Sequence, residues 1–235
     1  MNDDVFGRAF SAFLNGENCA PITVKIDDEL QDPLPVEYFF RSVNDMPDLE
    51  RIALDLAEGK TLDVGAAAGC HSLVLQDRIH TVALEISQKA CDVMQHRGVN
   101  NIICKDFFDY QADRFDTILF LMNGLGIGKS PKGTVELLKH AKSLLTPDGF
   151  ILGDSSDISY FKNDEIKKGG EITSLEQEYF GTVEFNLHWR DFHSNFQWIY
   201  PDPELIEKCA VEAGLTMSLV AEGPHYDYLL RFDQR

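Results

Sequence analysis

Residues 62–73 read LDVGAAAGCHSL. A short apolar run ends at Val64, and five small residues, Gly65, Ala66, Ala67, Ala68 and Gly69, follow before larger side chains resume. A strand that gives way to a bare turn and then to a helix is the start of a β-α-β unit. The missing side chains let a ligand approach the main chain, and the helix beyond the turn offers N–H groups without intrahelical partners. Cys70 and His71 follow directly but have no partner at metal-ligand spacing. They are read as position rather than chemistry, Cys70 facing inward on the helix and His71 standing at the rim of a pocket. No metal site is expected.

The same alternation continues on both sides of the turn. Leu49, Ile52, Ala53 and Leu56 recur at helical spacing before Gly59. Strands are predicted over 61–64, 81–85, 101–104, 115–121 and 150–153, the last entered through a turn at 146–149. Helices are predicted after Gly69, between Ser87 and Gly98, and over 134–145. Strands and helices at this spacing predict an α/β fold, a doubly wound, mostly parallel seven-stranded sheet of Rossmann-like type. Residues 183–200 alternate apolar and polar side chains about the turn DFHSN, which predicts an inserted β-hairpin. Asp202-Pro203 opens a further helix, and strands are predicted over 216–221 and 226–232, the last of them antiparallel.

The chain has 235 residues, 44% hydrophobic and 26% charged, enough for one domain with a substantial core. Within it, 1–44 is read as an N-terminal cap or lid, 45–155 as the ligand-binding core, 156–200 as the inserted hairpin and cover, and 201–235 as the closing helix and strand pair. A net charge of −18 repels phosphate backbones, so nucleic acid is a poor partner and a neutral or cationic small molecule a better one. With no long apolar run and no basic flank before one, neither a membrane partner nor a signal peptide is expected, and a cytoplasmic protein is. The five scattered cysteines fit reduced thiols better than a disulfide framework.

In an open parallel sheet, ligands bind beyond the carboxyl ends of the strands. Asp63, Glu85 and Asp106 stand at or just beyond three successive strand ends. Asp63 can hold the turn's amides or a ligand amine. Glu85 can accept from the two hydroxyls of a ribose, and Asp106 from an adenine amino group with Phe107 against the ring. Together they point to a nucleoside ligand.

LDVGAAAG resembles the first motif of the class I S-adenosylmethionine-dependent methyltransferases, whose usual form is D/E-x-G-x-G-x-G. The resemblance continues through Glu85, Asp106-Phe107, FDTILFLMNG and LLTPDGFIL, and covers residues 45–155 and the closing elements. It implies S-adenosylmethionine as cofactor. Asp63, Gly65, Ala66, Ala67 and Gly69 would cradle its methionine end, Glu85 with Ile86 beside it the ribose, Asp106 and Phe107 the adenine, and Met122 the transferable methyl. Ala67 departs from the family's middle glycine and adds a methyl group where the ligand passes.

Two glycine-rich readings compete. NGLGIGKS at 123–130 lacks the first glycine of a phosphate loop and follows the wrong strand, so it is read as a flexible loop beside the donor. G-A-A-A-G does not supply the G-x-G-x-x-G of a dinucleotide site, although Glu85 alone would suit an NAD(P)-dependent oxidoreductase. A non-catalytic nucleoside-binding or regulatory protein of the same fold is the other alternative. Phe6, Phe10 and Phe13 share one helical side and fit either core packing or a lid. Candidate acceptor contacts are Tyr38, Arg41, Asn123, Asp154, Tyr160 and His193, with Ser155 beside them, and Arg41 is also a candidate partner for the cofactor's carboxylate. No general base is identified. The hairpin can cover an acceptor or pair across a dimer, so both monomer and homodimer are consistent with the sequence.

Overall fold

The computed structural model describes residues 3–17, 19–27, 30–159, 175 and 178–235. Asp4 caps helix α1 (Val5–Leu14), its carboxylate accepting from the Gly7 N–H at 2.9 Å. Strands β1 (Ile22–Ile26) and β2 (Leu30–Leu34) follow, then 3-10 turns at Val36–Phe40 and Val43–Asp45, and helix α2 (Asp48–Leu56). The alternating core comprises β3 (Thr61–Val64), α3 (Cys70–Leu75), β4 (Thr81–Glu85), α4 (Gln88–Arg97), β5 (Ile102–Cys104), β6 (Phe115–Phe120), α5 (Pro131–Ser143) and β7 (Leu145–Ser156). Beyond it lie the hairpin β8 (Thr182–Trp189) and β9 (Phe192–Ile199), helix α6 (Pro203–Glu212), and strands β10 (Leu215–Glu222) and β11 (Asp227–Gln234).

The large sheet has seven strands in the order β10-β11-β7-β6-β3-β4-β5. The pairs β3/β4, β4/β5 and β6/β7 are parallel, whereas β11 runs antiparallel to both β7 and β10. This is the expected mostly parallel sheet with an antiparallel last strand. A second, four-stranded sheet in the order β2-β1-β8-β9 was not expected. The predicted hairpin is present, and β1 pairs antiparallel to β8, Val24 opposite Leu187. The local signal for β1 is the alternation of Ile22, Val24 and Ile26 with Thr23 and Lys25. Pro33 obscures β2, but β2 is an edge strand, where a missing backbone N–H is tolerated.

Two boundaries differ from the sequence reading. Residues 146–149 do not form a turn ahead of the strand but a bulge within β7, because the ladder jumps from Phe115–Leu145 to Thr117–Phe150. Thr146 Oγ1 pins that bulge by donating to Asp116 Oδ1 at 2.8 Å. Helix α5 starts at Pro131, earlier than expected, because the Ser130 side chain caps the Gly133 N–H and proline suits the first turn.

The contacts divide the chain into two compact units, one of Met1–Pro47, Lys60–Tyr110 and Glu184–Phe196, the other of Asp48–Gly59, Gln111–Val183 and Gln197–Arg235. In unit one the deeply buried side chains include Phe10, Ile22, Leu62, Leu75, Leu84 and Met94. Phe115, Ile118, Leu119, Phe120, Phe150 and Phe232 play that part in unit two.

Unit two also contains a closed polar clasp. Tyr179 donates its hydroxyl to Asp202 Oδ2 at 2.9 Å and accepts from the Asp202 N–H at 2.8 Å, while Asp202 caps α6 through the Leu205 N–H. Burial, with the Asp202 charge next in size, pushes the Tyr179 phenol pKa well up, so the group stays a neutral donor. Tyr179→Phe strands both partners of a buried hydroxyl and is expected to cost about 1–3 kcal/mol in urea unfolding. A midpoint equal to wild type would show that water replaces the clasp at no cost.

Candidate functional site

Strand β3 is buried along its length, and the pairing of Val64 with Leu84 brings its end level with β4. The chain then turns sharply. Gly65 and Ala66 both donate to the Leu84 carbonyl, at 2.9 and 3.2 Å, and Gly69 donates to the Ala66 carbonyl at 2.7 Å. Gly69 caps α3 with a φ of +81°, and a Cβ there would meet Val99 Cγ2 at 2.8 Å. Both the backbone and the packing therefore require glycine.

Ala67, the position that departs from the glycine motif, has a φ of +50°. A left-handed alanine costs roughly 1–2 kcal/mol. What holds it is the Ala67 N–H, which donates to Glu85 Oε2 at 2.9 Å. Glu85 Oε1 accepts from the Ser87 N–H at 2.9 Å, and the Ile86 N–H adds to the stabilisation of the charged form. A carboxylate offers about four acceptor positions, so three main-chain donors still leave room for a ligand hydroxyl. Beside it, Ile86 is 67% exposed, an apolar surface directly after a buried charge. Asp63 is buried too and accepts from the Ser72 hydroxyl at 2.6 Å, which fastens α3 to the end of β3. Asp106 is half-buried and caps the 3-10 turn Phe107–Asp109 through the Phe108 N–H at 2.9 Å. Of the two rings there, Phe107 is buried and Phe108 exposed. Asp63, Gly65, Ala66, Ala67, Gly69, Glu85, Ile86, Asp106 and Phe107 thus belong to one unit, on strand ends in register.

Three contacts around this group were not visible in the sequence. Ser87, read only as a helix cap, also donates to Asp4 Oδ2 at 2.7 Å and so ties α1 to α4. Gly7 allows the approach, since a Cβ there would lie 2.4 Å from both Asp4 Oδ2 and Ser87 Oγ. Arg97, in the last turn of α4, donates to the Ala68 carbonyl of the turn and, at 3.5 and 3.4 Å, to the carbonyls of Phe39 and Phe40. Its guanidinium lies over the Phe40 ring, and burial lowers its pKa from the ordinary arginine value. Phe40 in turn meets Phe10 and Phe13 of α1, so the two N-terminal aromatic segments pack on each other.

Of the other candidates in unit one, His193 accepts from the Asp3 N–H and donates its own N–H to the Asp3 carboxylate, beside the α1 cap. Arg41 is buried, stacks on the Tyr38 ring at 4.0 Å and donates to the Tyr38 carbonyl at 2.5 Å. His193 is exposed on β9, with its Nδ1 2.6 Å from Nδ1 of His188. Cys70 and His71 are both buried, so His71 does not stand at an open rim as expected. Among the described residues no three His, Cys, Asp or Glu side chains are placed to hold a metal ion.

In unit two, Met122 and Asn123 follow β6 with φ of +62° and +59°. The Asn123 N–H donates to Asp154 Oδ1 at 2.8 Å, and Ser156 donates to Asn123 Oδ1 at 2.9 Å. Two of the candidate acceptor contacts, Asn123 and Asp154, are therefore joined. Ser155 is buried and faces the Pro201 carbonyl. Residues Gly124–Gly128 form a 3-10 turn with four of their five residues buried, not the flexible loop expected. Tyr160 lies outside the described residues.

Burial raises the Glu85 pKa, the N–H donors of Ser87, Ala67 and Ile86 oppose the shift, and the Asp4 charge adds to it. A carboxyl with a raised folded-state pKa contributes stability that is complete at low pH and is lost as pH rises from its ordinary value of 4.5 through the folded one. The stability of wild type relative to Glu85→Gln is therefore expected to fall as pH rises from 4.5 towards 7, read from urea midpoints. A constant difference would overturn the burial argument. Gly69→Ala is expected to lose about 1–3 kcal/mol in the same measurement, from strain and from the Val99 contact.

No protein-family model and no curated protein sequence matches the chain. Among solved structures, it is similar to a SAM-dependent methyltransferase from Bacteroides fragilis in complex with S-adenosyl-L-homocysteine, at 36% identity, covering 98% of this chain and 94% of that one, with a TM-score of 0.88. The sugar N-methyltransferase KedS8 from Streptoalloteichus sp. ATCC 53650 is similar at 13% identity over 85% of this chain and 92% of its own, with a TM-score of 0.63. For CalS10, an amino pentose methyltransferase from Micromonospora echinaspora, the identity is 15%, the coverage 80% and 88%, and the TM-score 0.56. The latter two bear on the fold alone.

Proposed function

The chain belongs to the class I S-adenosylmethionine-dependent methyltransferases, and on that premise we propose that it methylates a small organic acceptor that is neutral or cationic. Its cofactor is S-adenosylmethionine. The donor set of unit one fits that group: carboxylates at three strand ends, an open turn, and the exposed apolar side chain of Ile86. In this reading Glu85, with Ile86 beside it, holds the ribose, Asp106 accepts from the adenine amino group, Phe107 meets the ring, and the 65–69 turn together with Asp63 holds the methionine end. The sulfonium supplies an already activated methyl, so the chain's task is to orient an acceptor atom behind it and to exclude water.

The observation that carries this reading is the Glu85 carboxylate, buried at the end of β4, bonded to the turn and still able to accept. Acceptor recognition is proposed for Asn123 and Asp154, which a hydrogen bond joins. A small acceptor is supported by the net charge of −18, which disfavours polyanionic substrates. The Streptoalloteichus and Micromonospora proteins, which share the fold, act on a sugar and an amino pentose. Direct displacement needs alignment more than a base, and no residue is assigned that part.

Calorimetric titration tests the reading. S-adenosylmethionine and S-adenosylhomocysteine are expected to bind, and NAD and ATP are not. Glu85→Ala is expected to weaken both ligands at least tenfold, about 1.4 kcal/mol. Unchanged affinity would remove Glu85 from the ribose.

A further inference from the structure

Two of the five cysteines bond to the neighbouring carbonyls of Glu85 and Ile86. Cys91, on the first turns of α4, is buried and donates its thiol to the Glu85 carbonyl at 3.7 Å. Cys104, at the end of β5, is the register partner of Glu85 and donates to the next carbonyl, that of Ile86, also at 3.7 Å. Cys104 is exposed, whereas Cys19 is half-buried and Cys70 and Cys209 are buried. Burial raises the Cys91 pKa, and the Cys104 thiol adds to the shift. Two thiols on consecutive carbonyls, one on an exposed residue and the other on a buried one, suit the parts of an attacking and a resolving thiol.

We propose that Cys91 and Cys104 are a modification site that closes to a reversible disulfide with a small-molecule disulfide as oxidant, and that closure weakens cofactor binding at Glu85. The second half rests on the methyl-donor reading above. The Cys104 thiolate attacks one sulfur of the small disulfide, breaks its S–S bond and releases the first small thiol. Cys91 then loses its proton and attacks the Cys104 sulfur of the mixed disulfide, forming the internal S–S bond and releasing the second small thiol. The protein pair loses two electrons and two protons, and the small disulfide gains them. Burial raises the Cys91 pKa, so the second step is slow at neutral pH and accelerates from about pH 7 to about pH 9 as the thiolate fraction grows.

Closure reaches the site by two routes. A disulfide needs its sulfurs about 2.05 Å apart. Drawing them together takes the S–H donors off the Glu85 and Ile86 carbonyls, which belong to the residues that present the carboxylate and the apolar side chain. Cys91 also packs in one cluster with Ala66, Ala83, Met94 and Val99, so its movement is felt at the turn itself.

The test treats the protein with oxidised glutathione, maps peptides by mass, and measures S-adenosylmethionine affinity and amide exchange over 65–69 before and after. The expected result is a Cys91–Cys104 peptide lacking two hydrogens, an affinity lowered at least about fivefold, faster exchange in the turn, and full reversal by dithiothreitol. Cys104→Ser should abolish all three changes, and Cys91→Ala should leave a mixed disulfide on Cys104. Glutathione persisting on Cys104 of wild type, or a closed pair with affinity and exchange within about twofold of the reduced protein, would overturn the proposal. The peptide map and the exchange need no cofactor. Failure of the reduced protein to bind S-adenosylmethionine would thus count against the donor reading and leave the thiol pair judged by those two readouts.

Discussion

The hydrogen bond from the Ala67 N–H to the Glu85 carboxylate is the contact on which the site of unit one depends. It joins the end of one parallel strand to the turn that leaves its neighbour, and it does so with a charged acceptor away from bulk water. Such bonds are roughly twice as strong as neutral ones, and the charge has no other compensation unless the main chain supplies it. The left-handed Ala67 is tolerable because that bond exists. The position thus exchanges the glycine's conformational freedom for a fixed donor, and the turn becomes stiffer than a three-glycine version would be.

The environment of Glu85 is crowded for the same reason. The Ser87 N–H serves its carboxylate while the Ser87 hydroxyl serves Asp4, so the strand end, the start of α4 and the cap of α1 share one chain of polar contacts. Arg97 repeats the device at the other end of α4, joining the turn to the 36–40 segment through three carbonyls. Helix α4 is therefore a strut with a polar fastening at each end. The N-terminal aromatic segments are thus tied to α4 at both of its ends.

The parallel core could be read from the sequence because its signals are local. Val64 before five small residues, Ser87 before a helix and Gly98 after it each depend on neighbours a few positions away. Asp63, Glu85 and Asp106 were found the same way, as acids where apolar runs stop. The four-stranded sheet escaped because its partners are distant: Val24 finds Leu187 across most of the chain, and the alternation at 22–26 does not say which strand it pairs with. Arg97 escaped for a similar reason, since its acceptors are backbone carbonyls and carbonyls leave no trace in a sequence. The bulge at 146–149 carried turn chemistry, and the β6 ladder absorbed it.

Unit two holds backbone strain just beyond the end of β6. Met122 and Asn123 adopt left-handed conformations in succession with no glycine to ease either, at a cost of roughly 1–2 kcal/mol each. Asp154 takes the Asn123 N–H and Ser156 donates to its side chain, so neighbouring β7 over-determines the geometry. Strain held in this way is found where a backbone must present a group in one orientation. At the carboxyl end of β6 the group fixed in this way is the Asn123 amide, whose oxygen accepts from Ser156.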